Sequence, residues 1–141
     1  MDAIDEKLLL ALRENGRAST AQLARLVGRS RTSVQSRIER LQRQGIIVGY
    51  SVRLAPEHAL GAVRAHVMIK VGAKETRAVA TALRGIAQVR ILHSVSGDVD
   101  LIAVAATASV AEMDQVIDRI GALDGVERTT SSIILSTKFE R

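Results

Sequence analysis

Apolar residues recur along this chain with two different periods, and the change of period divides it. Between Asp2 and Asn15, residues Ile4, Leu8, Ala11 and Leu12 follow helical spacing, which predicts a helix ended by Gly16. Ser19 followed three residues later by Gln22 forms a capping box, and Leu23, Ala24 and Val27 trace a second helical face as far as Gly28. Ser30 is placed to N-cap a third helix, with Val34, Ile38 and Leu41 inward and Gly45 as its C-terminal stop. Two short helices about a tight glycine turn, with the first helix completing their core, predict a helix-turn-helix. Ile46–Val48 and Tyr50–Leu54 then read as a short two-stranded wing or a linker strand. Pro56 and Gly61 mark the domain boundary.

Beyond Gly61 a period of two takes over. Val63, Ala65, Val67, Ile69 and Val71 alternate with Arg64, His66, Met68 and Lys70, the pattern of a half-buried strand. Val79, Ala82, Leu83 and Ile86 trace a helix, Val89–Val95 a strand, Ser96-Gly97-Asp98 a turn, and Leu101–Ala106 a further strand. Ser109 with Glu112 opens a helix carrying Met113, Val116, Ile117, Ile120 and Leu123, and Val126–Thr137 is the last strand. The order βαββαβ is the ferredoxin-like split unit. The expected fold is therefore α+β: a three-helix, winged helix-turn-helix over residues 1–50, a linker strand and hinge over 51–61, and a ferredoxin-like domain over 62–141. Leu101, Ala103 and Ala105 alternate with Ile102, Val104 and Ala106, so both faces of that strand are apolar. Helices cover one face; a second copy of the sheet is the simplest cover for the other, and a homodimer is expected.

Charge sharpens the picture. The net charge is +5, and Arg17, Arg25, Arg29, Arg31, Arg37, Arg40 and Arg43 are opposed by only one acid, Glu39, across the helix-turn-helix. On a helical wheel with Val34 inward, Thr32, Ser36, Glu39 and Arg43 point outward, and Ser33, Gln35, Arg37 and Arg40 lie on the flanks. Arg forks suit phosphates and guanine edges, and small hydroxyls let the backbone approach DNA. The predicted DNA contacts are Arg31, Thr32, Ser33, Gln35, Ser36, Arg37 and Arg40, with Arg37 assigned to a phosphate. Aromatic residues make up only 1% of the chain, which argues against single-strand or RNA binding by base stacking and favours duplex DNA. A dimer would present two such helices to half-sites about 34 Å apart.

Several classes are excluded or disfavoured. With no Cys there is no disulfide framework, thiolate metal site or Cys nucleophile. His58, His66 and His93 lack metal-ligand spacing, and Lys70–Lys74 lacks the spacing of a phosphate loop. No metal and no cofactor are expected. The opening MDAIDEK lacks the order of a signal peptide and no apolar run reaches membrane-spanning length, so the expected location is the cytoplasm, at the nucleoid, with no membrane partner.

The segments IDEKLLLAL (Ile4–Leu12), LARLVGRSRTSVQSRIERLQRQGIIVGY (Leu23–Tyr50) and SGDVD (Ser96–Asp100) together resemble the leucine-responsive regulatory protein/AsnC, or feast/famine, family. Arg37, Leu41, Gly45, Ile47 and Tyr50 sit where that family's pattern has them. The resemblance covers essentially the whole chain. It implies a transcription regulator that assembles as dimers, often as a ring of four dimers, and binds an amino acid or related small effector between subunits. It also implies effector contacts from Gly97, Asp98, Val99 and Asp100, with Thr129, Thr130, Ser131 and Ser132 of the last strand nearby. Glycine-turn N–H groups suit a carboxylate, and an Asp beside them suits an ammonium. Two positions depart from the family pattern: Arg31 stands where many members have Pro, and Val99 where many have an aromatic.

Two other functions fit parts of the sequence. Paired ferredoxin-like domains also host small-molecule enzymes, for which His66, His93 and Asp100 would be the acid–base groups. A DNA-architectural protein would keep the helix-turn-helix and need no effector. The missing metal ligands and aromatic pocket residues favour a non-enzyme.

Overall fold

Helix α1 (Ala3–Glu14) starts at a capping box built from two aspartates. The Asp2 side chain accepts the Ile4 and Asp5 N–H groups, while the Asp5 carboxylate accepts the Asp2 N–H at 3.0 Å. Helix α2 (Thr20–Val27) opens on the predicted reciprocal box between Ser19 and Gln22. Gly28 then reverses the chain in the left-handed region, at φ 64°. Helix α3 (Arg31–Arg43) is capped by Ser30, whose Oγ accepts the Ser33 N–H at 3.2 Å. It closes in a Schellman motif, with the Ile46 N–H on the Leu41 carbonyl, the Gly45 N–H on the Gln42 carbonyl, and Gly45 at φ 69°. Leu8, Leu23, Ala24 and Val34 form the buried centre, packed by Ile4, Ala11, Leu12, Ala18, Val27 and Ile38.

The computed structural model describes residues 1–55, 58 and 63–139, and the chain divides into two compact units, Met1–Arg53 and Leu54–Arg141. The boundary residues Pro56 and Gly61 lie outside the described residues. The expected wing is not formed: residues 48–55 make no strand. The reason is the lack of a pairing partner, since Val48, Tyr50, Val52 and Leu54 are all exposed, Val48 at 92%. β-Propensity alone does not make a strand without a second edge to bond.

The second unit is the expected ferredoxin-like sheet. Strands β1 (Val63–Val71), β2 (Val89–Ser94), β3 (Leu101–Thr107) and β4 (Val126–Ile134) lie in the order β2-β3-β1-β4, all antiparallel. Helices α4 (Thr76–Arg84) and α5 (Val110–Gly121) cover one face. Ala65, Val67, Ile69 and Val71 of β1 and Leu101, Ala103 and Ala105 of β3 meet Val79, Leu83, Met113, Val116 and Ile120 of the helices in one buried cluster. α4 is shorter than its apolar pattern suggests, because Ile86 is buried beyond the helix end. β4 ends at Ile134 rather than Thr137. The expected box at α5 is half made. Ser109 Oγ caps the Glu112 N–H, but the Glu112 carboxylate accepts from Ala108. Among the described residues no helix is long and apolar enough to cross a membrane.

The opposite face of the sheet is uncovered in the single chain. Register places Ile91 and His93 of β2, Ile102, Val104 and Ala106 of β3, His66 and Met68 of β1, and Thr130, Ser132 and Ile134 of β4 on that face.

Candidate functional site

In the first unit the exposed surface of α3 is formed by Arg31, Thr32, Gln35, Ser36, Glu39, Gln42 and Arg43. Ser33 is half-buried, and its N–H donates to the Ser30 cap. Gln35 and Glu39, one turn apart, are joined by a 2.9 Å hydrogen bond along the outer face. Arg25, Arg29 and Arg31 border a shallow depression at the turn between α2 and α3, where the N-terminus of α3 emerges. Small hydroxyls, an amide and unpaired guanidinium groups therefore share one convex strip, the combination that meets both phosphates and base edges.

Two of the predicted contact residues are ion-paired to α1. Arg37 Nη1 lies 2.7 Å from Asp2 Oδ2 and 2.9 Å from Asp5 Oδ1. Arg40 Nη2 lies 2.7 Å from Asp5 Oδ2. The Asp2 and Asp5 carboxylates hold the Arg37 guanidinium against α1, an arrangement the sequence reading of Arg37 as a phosphate contact did not include. Arg40 is half committed in the same way, its side chain 43% exposed and its remaining N–H groups free. Of the flank positions read from the helical wheel, Arg37 and Arg40 reach α1, whereas Gln35 bonds Glu39 on the outer face.

Asp5 is 1% exposed, and burial alone would push its carboxyl up. The Asp2 N–H, the Arg37 hydrogen bond and the Arg40 charge outweigh that and hold it below the ordinary carboxylate range. The Asp5 N–H and Arg37 hydrogen bonds bring Asp2 from 3.8 to about 2. Asp2 and Asp5 were not singled out from sequence. Their signal was present: two acids at capping-box spacing, and two arginines three apart on one flank of a neighbouring helix.

In the second unit Gly97 adopts φ 115°, a region open to glycine, and so turns the chain between β2 and β3. Asp98 is exposed, whereas Val99 and Asp100 are half-buried. Asp100 clasps the loop to the end of β1. Its N–H donates to the Ile69 carbonyl, its Oδ2 accepts the Val71 N–H at 3.0 Å, and Lys70 Nζ is 3.7 Å away. One oxygen of the Asp100 carboxylate is therefore already accepting a backbone hydrogen bond.

The four polar residues of β4 divide between faces. Thr129 and Ser131 pair with Ile69 and Val67 on the helix-covered side, and Thr130 and Ser132 pair with Met68 and His66 on the open side. The loop ending at Asp100 leads into β3, and Thr129 and Thr130 lie on β4, so they flank the same end of β1 from two sides, roughly 10 Å apart. Lys70 and Arg128 sit directly opposite each other, a like-charge pair that costs stability and leaves positive charge available at this end of the sheet. The two histidines lie apart from the loop, His66 opposite Val104 and His93 opposite Ile102.

This architecture defines a class: a small regulator in which a helix-turn-helix unit is joined to a ferredoxin-like sensor unit. Residues 1–42 match the AsnC-type helix-turn-helix domain and residues 64–141 the Lrp/AsnC ligand binding domain. The chain belongs to the Lrp/AsnC family of transcriptional regulators. It is 29% identical over 141 residues to the HTH-type transcriptional regulator FL11 of Pyrococcus horikoshii, spanning 99% of this chain and 93% of that one. It is 33% identical over 140 residues to the regulator LrpA of Mycobacterium tuberculosis, with 99% and 93% covered. Among solved structures, the feast or famine regulatory protein of M. tuberculosis complexed with L-methionine superimposes with a TM-score of 0.87 at 33% identity, covering 99% of this chain and 95% of that one.

Proposed function

We propose that this regulator binds duplex DNA sequence-specifically as a homodimer, and that an amino acid or related small effector changes its assembly or its affinity for the operator. The observation that carries the DNA reading is the division of α3. Arg31, Thr32, Gln35 and Ser36 are exposed on one side, while Val34 is buried and Arg37 ion-paired on the other. Base edges are read from the exposed strip. Ser33 contributes backbone proximity, Arg31 and the free N–H groups of Arg40 bind phosphates, and Arg37 fixes the helix.

Dimerisation follows from the uncovered sheet face, where Ile102 and Val104 are half-buried and lie opposite Met68 and His66. Two such faces bury one another, and further association of dimers builds a ring of the family type. Effector binding is assigned to Gly97, Asp98, Val99 and Asp100 with the β4 hydroxyls of Thr129, Thr130, Ser131 and Ser132, completed by a neighbouring subunit. The L-methionine complex of a relative supports an amino acid as the ligand class. The protein acts by binding, without catalysis, at the nucleoid; the relatives named as transcriptional regulators support this.

A gel-shift on the DNA upstream of the protein's own gene, with and without pooled amino acids, tests the proposal. A retarded band whose midpoint moves with the pool is expected. A band indifferent to every amino acid would instead favour an effector-free architectural role. Absence of any band at low salt contradicts DNA binding.

A further inference from the structure

The helix-covered side of the second unit is electrically divided. Helix α5 (VAEMDQVIDRIG) carries Glu112, Asp114 and Asp118 against one cation, Arg119. Helix α4 (TRAVATALR) and strand β2 (VRILHS) carry Arg77, Arg84 and Arg90, with Glu75 at the α4 N-cap as the acid beside them. α5 packs over β1, β3 and β4, while α4 shares that core and also reaches β2. Arg77, Arg84 and Arg90 gather on the β2 side.

That edge holds an open groove of about 630 Å³ between α4 and β2, lined by Arg77, Thr81, Arg84 and Arg90 among others. All three arginines are exposed. The ion pairs found among the described residues use Arg37, Arg40 and Lys70, and leave these three unmatched. β2 pairs only with β3, so its outer edge has no strand partner and half its backbone N–H groups face outward. Arg77 and Arg84 are seven residues apart on the helix, about 10 Å along its axis. Such spacing follows an extended polyanion better than it converges on one small anion.

We propose that Arg77, Arg84 and Arg90 form a second DNA-contacting surface, which binds the phosphate backbone of duplex DNA. It reads no bases and adds sequence-independent affinity through counterion release. The proposal rests on the DNA-binding function above and extends it to the sensor unit, so that a change of assembly there also moves a phosphate-binding surface.

The test is the salt dependence of DNA binding by the full chain, measured on a duplex just spanning two half-sites and on one several turns longer. Three proteins are compared: wild type, Arg77→Gln/Arg84→Gln/Arg90→Gln, and Arg77→Lys/Arg84→Lys/Arg90→Lys. The Gln variant is expected to flatten the slope of log K against log salt on the longer duplex by about 0.9 for each arginine that meets a phosphate. The Lys variant should keep the slope, because a phosphate accepts either cation, and a merely structural role would not be rescued in this pattern. Equal slopes for wild type and the Gln variant on both duplexes would overturn the proposal while leaving the helix-turn-helix reading intact. A wild type with no salt-dependent binding to either duplex would remove both.

Discussion

At the residue scale the decisive group is Asp5. It caps its own helix, accepts from two arginines of α3, and is buried while doing so. A buried carboxylate so fully satisfied is more costly to break than to keep, because its removal leaves Arg40 without a partner and Arg37 with Asp2 alone. Asp5→Ala is expected to cost about 2 kcal/mol in urea unfolding, below the range for a wholly buried pair because Arg37 and Arg40 remain partly solvated. The pH response follows from both carboxyls lying below their ordinary range. The contribution is fully present above the ordinary value of 3.8 and is lost as pH falls toward about 2, where Asp2 takes up its proton. Urea midpoints from pH 5 downward should fall more steeply for wild type than for Arg37→Met, which keeps only the Arg40–Asp5 pair to lose. Parallel curves would show that the cluster is thermodynamically silent. None of this was legible from sequence periodicity. Arg37 lies 32 residues from Asp5 and Arg40 lies 35 away, so only the packing of α1 on α3 brings them together.

At the scale of elements, what was legible was what is locally encoded. The Ser19–Gln22 box, the Ser30 cap and the Gly45 stop each satisfy or reverse a helix end with residues a few positions apart, and each is found where the pattern put it. The wing failed for the converse reason: a strand is defined by its neighbour, and residues 48–55 have none in the single chain. The same distinction grades the glycines. Gly45 sits at φ 69° with open space where a Cβ would stand, so Gly45→Ala costs only backbone strain, about 1 kcal/mol. Gly125 sits at φ 92° and its Cβ would come within 2.9 Å of Glu75 Cβ and 3.1 Å of Val79 Cγ2. Gly125→Ala adds overpacking of α4 to the strain and is expected to cost about 3 kcal/mol. Thermal unfolding of the two variants side by side should rank them in that order, and the reverse ranking would refute this packing of α4 on the turn before β4.

For the whole molecule, the proposed effector site was legible only as a set of residues. The structure shows why: the Asp100 clasp and the β4 hydroxyls stand on either side of β1, and alternate hydroxyls face opposite ways. A period of two separates faces without saying what covers each. Val104 is near the middle of the open face and half-buried without a partner. Val104→Glu should therefore convert a dimer or larger assembly to monomer in sedimentation with circular dichroism unchanged. An unchanged sedimentation coefficient would assign dimerisation to another surface.

The account turns on α3 having an outer side that meets DNA and an inner side that holds the helix in place. The most direct measurement is the slope of log K against log salt for a specific duplex, taken for wild type, Arg31→Ala and Arg37→Ala at a temperature where all three are folded. Arg31→Ala should lower the slope by about 0.9 and leave unfolding unchanged, whereas Arg37→Ala should keep the slope and lose stability. The opposite assignment, with Arg37→Ala flattening the slope at unchanged stability and Arg31→Ala without effect, would contradict it.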